Sequence, residues 1–111
     1  MDAWELRAHR MVKIGKIARR LRIAGRVQGV GFRAALCAAA EDRGLSGWVR
    51  NRSDGCVEAE LHGAIEDVEA LIGWSQHGPT AARVTEVRVE RVELVDATPS
   101  PTARVVQRPT A

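Results

Sequence analysis

The chain has 111 residues, room for one domain, and its 45% hydrophobic and 28% charged residues describe an ordinary globular protein rather than a disordered or fibrous one. No apolar run approaches the roughly 20 residues of a membrane-spanning helix, which excludes an integral helical membrane protein. The formal net charge of +3 is confined to residues 1–19, where five Lys/Arg meet two acids; beyond them 12 basic and 12 acidic residues cancel. A domain without a basic field gathers phosphates by local geometry, not by the long-range attraction a nucleic-acid binder uses.

Residues 1–19 read as a flexible basic extension and residues 20–111 as the folded domain. Cys37 and Cys56 show neither CxxC spacing nor neighbouring histidines, so no zinc or redox centre is expected. The N-terminus lacks the apolar core of a secretory signal. A reducing, cytoplasmic setting is the expectation.

Arg20 to Gln28 alternates Leu21, Ile23, Gly25 and Val27 with Arg20, Arg22, Ala24 and Arg26, a period of two that predicts a strand with one buried face. The turn Gln28-Gly29-Val30-Gly31 follows. Residues 32–43 place Phe32, Leu36, Ala39 and Ala40 on one helical stripe, with Gly44 at the position of a C-terminal cap. Leu45 to Asn51 reads as a second strand, Arg52 to Gly55 as a turn, and Cys56 to His62 as a third strand with Val57, Ala59 and Leu61 inward. A second helix is predicted over 64–76, ended by Gly78-Pro79. Residues 83–94 form a fourth strand whose apolar phase slips between Val89 and Val92, predicting a bulge there. Thr98 to Pro101 is a connector, and Ala103 to Gln107 a short fifth strand.

The order β-α-β-β-α-β gives two amphipathic helices one way to bury their stripes: side by side on one face of an antiparallel sheet. The predicted fold is therefore the ferredoxin-like α+β sandwich, a four- to five-stranded antiparallel sheet with both helices on one face.

Chemistry is concentrated in two segments. Gly25-Arg26-Val27-Gln28-Gly29-Val30-Gly31-Phe32-Arg33 runs from a strand through glycines into a helix start. Helix N-termini carry unpaired N–H groups and partial positive charge, and glycines let several amides fold inward around an anion. Arg33, in the first helical turn, adds a planar fork of donors suited to phosphate oxygens. The absence of GK[ST] excludes a nucleotide P-loop. By itself a glycine turn before a helix is more often only a tight turn. In the second segment, Gly47-Trp48-Val49-Arg50-Asn51-Arg52-Ser53-Asp54-Gly55, Asn51 closes a strand. Its amide both donates and accepts, so it can hold a water, although an Asn there is by default a turn former. Trp48 and Trp74 are read as core or core-edge packing, Arg50 and Arg52 as solvated surface, and Asp54 with Gly55 as a turn pair.

The pairing of Gly-Arg-Val-Gln-Gly-Val-Gly-Phe-Arg with Gly-Trp-Val-Arg-Asn-Arg-Ser-Asp-Gly-Cys-Val-Glu closely resembles the acylphosphatase family, and the resemblance extends over about residues 20–95, through Gly63, Trp74, Gly78-Pro79 and Ala82-Arg83-Val84. It implies hydrolysis of acyl phosphates to carboxylate and inorganic phosphate, without a metal, a cofactor or a covalent phosphoenzyme. It also implies that Arg33 and the backbone amides of Gln28, Gly29, Val30, Gly31 and Phe32 bind the phosphoryl group and that Asn51 positions the attacking water. His9, His62 and His77 fall outside both motifs. The expected partner is a small acyl phosphate, with no nucleic acid or membrane, and the expected state is a monomer. Two departures stand out: the long leader, and a last strand without the aromatic residue of the family pattern.

The rival readings are binding modules on the same fold. An RNA-recognition domain stacks bases on inner-strand aromatics, which this chain lacks. A non-catalytic anion-binding regulatory module keeps the nest but has no need of Asn51 at the strand end.

Overall fold

The computed structural model describes residues 15–94 and 104–111. The leader up to residue 14 and the Thr98–Pro101 connector lie outside the described residues. Five strands and two helices alternate in the predicted order: β1 (Lys16–Arg26), α1 (Phe32–Asp42), β2 (Ser46–Asn51), β3 (Val57–Ala64), α2 (Ile65–Ser75), β4 (Arg83–Val92) and β5 (Val105–Gln107). They form one sheet in the order β4-β1-β3-β2-β5. This is the ferredoxin-like α+β sandwich, with one amendment to an all-antiparallel sheet: β5 runs parallel to β2, pairing Gly47 with Val105 and Val49 with Gln107.

The strand periods do what alternation requires. Leu21 and Ile23 of β1, Val49 of β2, and Val57, Ala59 and Leu61 of β3 are fully buried in one core with Phe32, Leu36 and Ala40 of α1 and Val68 and Leu71 of α2. Each fully buried large aliphatic or aromatic side chain contributes about 1.5–3 kcal/mol, so this single layer carries the fold. α1 closes as predicted: Gly44, at φ 75°, and Leu45 turn their N–H groups back onto the carbonyls of Glu41 and Ala40 at 2.9 and 3.0 Å.

Two strand details differ from expectation. β1 begins at Lys16, where Lys16 pairs with Ala64, so four residues assigned to the extension belong to the sheet. The bulge lies earlier in β4 than predicted. The register is continuous from Val92 to Glu86 and shifts opposite Ala24 and Gly25, leaving Thr85 as the extra residue. The phase slip at Val89 is instead tolerated because β4 is an edge strand, and Val89 stays 46% exposed.

The face away from the helices is charged yet partly covered. Trp48 opposes Glu60 in the β2–β3 ladder and lies on this outer face, not in the helix-side core. It is buried because the guanidinium groups of Arg108, Arg50 and Arg20 sit over its ring at 4.7, 4.9 and 5.7 Å. Trp74, by contrast, packs its ring edge-on to Phe32 at 5.5 Å on the helix side. Glu58 is also buried, contrary to a solvated reading of its neighbours. It accepts from Arg50 Nε at 2.7 Å and from Arg52 Nη1 at 3.3 Å, so those two arginines are neutralised on the outer face. Burial pushes the Glu60 carboxyl up, but hydrogen bonds with Arg20 and His62 outweigh it and hold it below its usual range.

Gly47 shows how tightly β2 and β3 approach. Its φ is 142°, and a Cβ there would lie 1.8 Å from the Glu60 carbonyl oxygen. Gly47→Ala is therefore expected to cost about 3–5 kcal/mol and lower Tm by more than about 10 °C in a thermal melt.

Candidate active site

All the strand ends that matter here lie at one edge of the sheet. β1 ends at Arg26 and β2 at Asn51, while the antiparallel β3 and β4 begin there at Val57 and Arg83. The turn from β1 to α1 crosses this edge. Gly29 and Gly31 adopt φ of 76° and 77°, and no residue other than glycine has positive φ among the described residues. The sign of φ thus alternates from Gln28 through Phe32. Such alternation turns successive N–H groups toward one side and makes a concave backbone nest for an anion. A side chain bearing Cβ at either glycine would meet no neighbour, so the requirement is conformational.

α1 continues the nest. Gly31 is its N-cap and supplies no side-chain cap; the first backbone bond runs from Ala35 N–H to the Gly31 carbonyl at 3.0 Å. The N–H groups ahead of Ala35 have no intrahelical acceptor, as at every helix start. Arg33 extends from this first turn and is half-buried. Among the described residues its guanidinium has neither an ion pair nor a hydrogen bond. Its charge is felt one turn on at Cys37: burial and Glu41 push that thiol up, and Arg33 opposes them.

Asn51 is the last residue of β2 and opposes Val57, sharing the helix-side face with Val49. Its main chain is held from outside the hairpin. Ala111 N–H donates to the Asn51 carbonyl at 3.0 Å, Ser53 N–H donates to the Ala111 carbonyl at 2.8 Å, and Arg108 N–H donates to the Val49 carbonyl at 2.8 Å. Among the described residues the Asn51 side-chain amide makes no hydrogen bond. The following turn is fixed by Asp54, whose carboxylate accepts from Cys56 N–H at 3.0 Å; that backbone bond holds the Asp54 carboxyl below its ordinary range.

The nest and the hairpin are joined by the Gln28 side chain. Its Nε2 donates to the Arg52 carbonyl at 2.8 Å and to the Cys56 carbonyl at 2.9 Å, one residue beyond Asn51 and across the turn. Sequence reading counted Gln28 for its backbone amide and missed this clamp; the only available signal was a two-donor amide at the start of a glycine turn. Losing it leaves the two carbonyls with only their backbone donors, Gly55 N–H on Arg52 at 3.1 Å and Arg52 N–H on Cys56 at 2.8 Å, and frees the hairpin from the nest. Gln28→Ala is expected to cost about 1–2 kcal/mol in chemical denaturation and to lower hydrolytic activity about tenfold or more. The tail residues Arg108 and Ala111 were likewise invisible beforehand, because their partners are backbone atoms far away in sequence. His62 is bound to Glu60 on the outer face and His77 lies in the turn after α2, so neither adjoins Asn51 or Gln28. Among the described residues no group of three or more His, Cys, Asp or Glu could hold a metal ion.

The acylphosphatase family profile matches residues 19–99. The chain belongs to the acylphosphatase family. It is 55% identical over 75 residues to an acylphosphatase of Thermococcus kodakarensis, covering 68% of this chain and 82% of that one. To an acylphosphatase of Cupriavidus necator it is 57% identical over 70 residues, covering 63% and 76%. Among solved structures, an acylphosphatase from Coxiella burnetii superposes with a TM-score of 0.76 at 30% identity, over 88% of this chain and 100% of that one. A full-length HypF in its phosphate- and nucleotide-bound form superposes with a TM-score of 0.74 at 29% identity, but this chain corresponds to 12% of that protein. Membership places the nest and the Asn51 hairpin within the matched region, whereas β5 and the tail that hold Asn51 lie beyond it. No described helix is long and apolar enough to cross a membrane.

Proposed function

We propose that this acylphosphatase-family enzyme hydrolyses acyl phosphates, with the phosphoryl group held by the backbone nest of Gln28–Phe32 and by Arg33, and the attacking water positioned by Asn51. The observation that carries the reading is the Gln28 clamp, which fastens an anion nest to the turn beside Asn51, whose side-chain amide is unpaired among the described residues. In the reaction the water oxygen forms a bond to phosphorus while the phosphorus–oxygen bond to the acyl group breaks. The electron pair leaves with the carboxylate, and the water proton passes to a phosphate oxygen of the substrate.

Such a step needs little from the protein. A carboxylate is a good leaving group and requires no general acid. In a loose transition state the chief demands are neutralising the equatorial oxygens and keeping the nucleophile in line. Inward amides and one bidentate guanidinium meet the first demand, and a donor–acceptor amide meets the second. Arg50 and Arg52 flank Asn51 in sequence but are tied to Glu58, whereas Arg33, in the first turn of α1, has no ion pair or hydrogen bond among the described residues. The free thiols of Cys37 and Cys56 are in keeping with a reducing, cytoplasmic setting.

The test is turnover of benzoyl phosphate, followed by loss of its ultraviolet absorbance. The purified protein is expected to release benzoate and phosphate in equal amounts, without added metal and with chelator present. Saturable phosphate binding with no turnover would favour a regulatory anion-binding module instead.

A further inference from the structure

The one charged side chain that is buried among the described residues is Glu58, 6% exposed, and the hydrolytic step itself makes no use of it. Its carboxylate divides between two arginines. Oε1 accepts from Arg50 Nε at 2.7 Å and stands 2.7 Å from Arg50 Nη2, while Oε2 accepts from Arg52 Nη1 at 3.3 Å. Replacing a buried ion pair by apolar side chains of like volume is often neutral or stabilising, so fold stability does not account for a carboxylate here. What the arrangement supplies is position.

The two tethered residues straddle Asn51. Side chains alternate faces along a strand, so Arg50 and Arg52 reach Glu58 on the outer face while Asn51 lies on the helix side with Val49. Asn51 and Val57 are the last register pair of the β2–β3 ladder, and Arg52 lies beyond it. Main-chain bonds fix where this strand end sits: Ala111 N–H donates to the Asn51 carbonyl at 3.0 Å, and Arg52 N–H to the Cys56 carbonyl at 2.8 Å. Such bonds lie in the plane of the sheet and resist shear. Rotation of the strand end out of that plane is opposed by whatever grips its side chains. Glu58 grips both neighbours of Asn51 from behind, and Arg50 is held further by Trp48, whose ring centre lies 4.9 Å from its guanidinium carbon.

We propose that Glu58 is a positioning residue for the hydrolysis: by bonding Arg50 and Arg52 on one face of the sheet, it sets the direction of the Asn51 amide on the other, and with it the line of the attacking water. The proposal rests on the role given to Asn51 above and adds the group that aims it. A water held by one side-chain amide follows every tilt of that amide, and misplacement on the order of 1 Å can cost as much as 10²-fold in rate.

Glu58→Gln keeps the size of the side chain but offers one acceptor oxygen, so whichever way the new amide turns, one arginine loses its partner. With benzoyl phosphate as substrate, kcat is expected to fall about tenfold, while KM and inhibition by inorganic phosphate, which report on the nest and Arg33, stay within about twofold. Glu60 supplies the control. It is a partly buried carboxylate of the same outer face, bonded to Arg20 at 2.7 Å and His62 at 2.8 Å, neither of which adjoins Asn51 in the chain. Glu60→Gln therefore breaks comparable ion pairs and should leave kcat within about twofold. The double-mutant cycle decides. In Asn51→Ala there is no amide left to aim, and adding Glu58→Gln should change kcat by less than about twofold. Arg52→Gln cuts one tether and should lower kcat about threefold at constant KM; it carries the same cycle if Glu58→Gln does not fold. A tenfold loss that persists in Asn51→Ala, an equal loss in Glu60→Gln, a rise in KM in place of the fall in kcat, or wild-type kcat in both tether variants overturns the positioning role, while turnover by the wild type keeps the hydrolase reading. Absence of benzoyl phosphate turnover in the wild type overturns both.

Discussion

Replacing Arg33 with methionine is expected to lower kcat/KM for benzoyl phosphate by about 10³-fold and to weaken inhibition by inorganic phosphate by at least tenfold. The methionine keeps an unbranched, helix-compatible side chain of comparable length, so what is lost is the cation and its fork of donors. A single preorganised donor to developing charge is worth about 10²–10³ in rate, and here the donor also carries a full positive charge on the helical turn that follows the nest. Stability should hardly change, since the guanidinium has no ion pair or hydrogen bond among the described residues to lose. Arg33→Lys restores the charge without the planar fork, and only partial recovery is expected. Rates of Arg33→Met within threefold of wild type would remove Arg33 from the site, leaving the nest alone to hold phosphate.

Asn51→Ala separates binding from chemistry. The nest, Arg33 and the Gln28 clamp are untouched by the change, and the hydrogen bond from Ala111 is made to the Asn51 main chain, which alanine retains. KM and phosphate inhibition should therefore stay within about twofold, while kcat falls about 10²–10³-fold, the signature of a contact made only on the way to the transition state. Asn51→Asp makes a sharper point. It offers acceptors only and sets a negative charge facing an anionic substrate, so it is expected to be no better than alanine. A rise in KM at constant kcat would instead make Asn51 a substrate contact and leave the water without its holder.

These two variants bear on different parts of one geometry, and Gln28 connects them. Because its side-chain amide bonds both carbonyls at the mouth of the β2–β3 turn, displacement of the hairpin is transmitted to the nest and the reverse. Gln28→Ala should accordingly lower kcat and raise KM together, a mixed pattern that neither Arg33→Met nor Asn51→Ala gives.

The local pattern of the chain already determined much of this. Alternation in β1 and β3, the helical stripe from Phe32 to Ala40 and the glycines at 29, 31 and 44 specify elements because period, cap and positive φ are properties of neighbouring residues. The same locality made the nest and Arg33 legible, since a strand, a glycine turn and a helix start follow one another without interruption. Asn51 was legible as a strand end and gained its chemical meaning from the resemblance carried by the flanking motif. The tertiary structure decided what depends on distant partners. It placed the bulge at Thr85, because that position is set by register against Ala24 and Gly25. It buried Trp48 and Glu58 on the outer face, because arginines from β1, β2 and the tail converge there. It ran β5 parallel to β2, clamped the nest with Gln28, and set Arg26 against Arg83, none of which has a periodic signature. A sequence fixes which face each residue takes along its own strand or helix; which residue stands across from it is settled only when the strands pair.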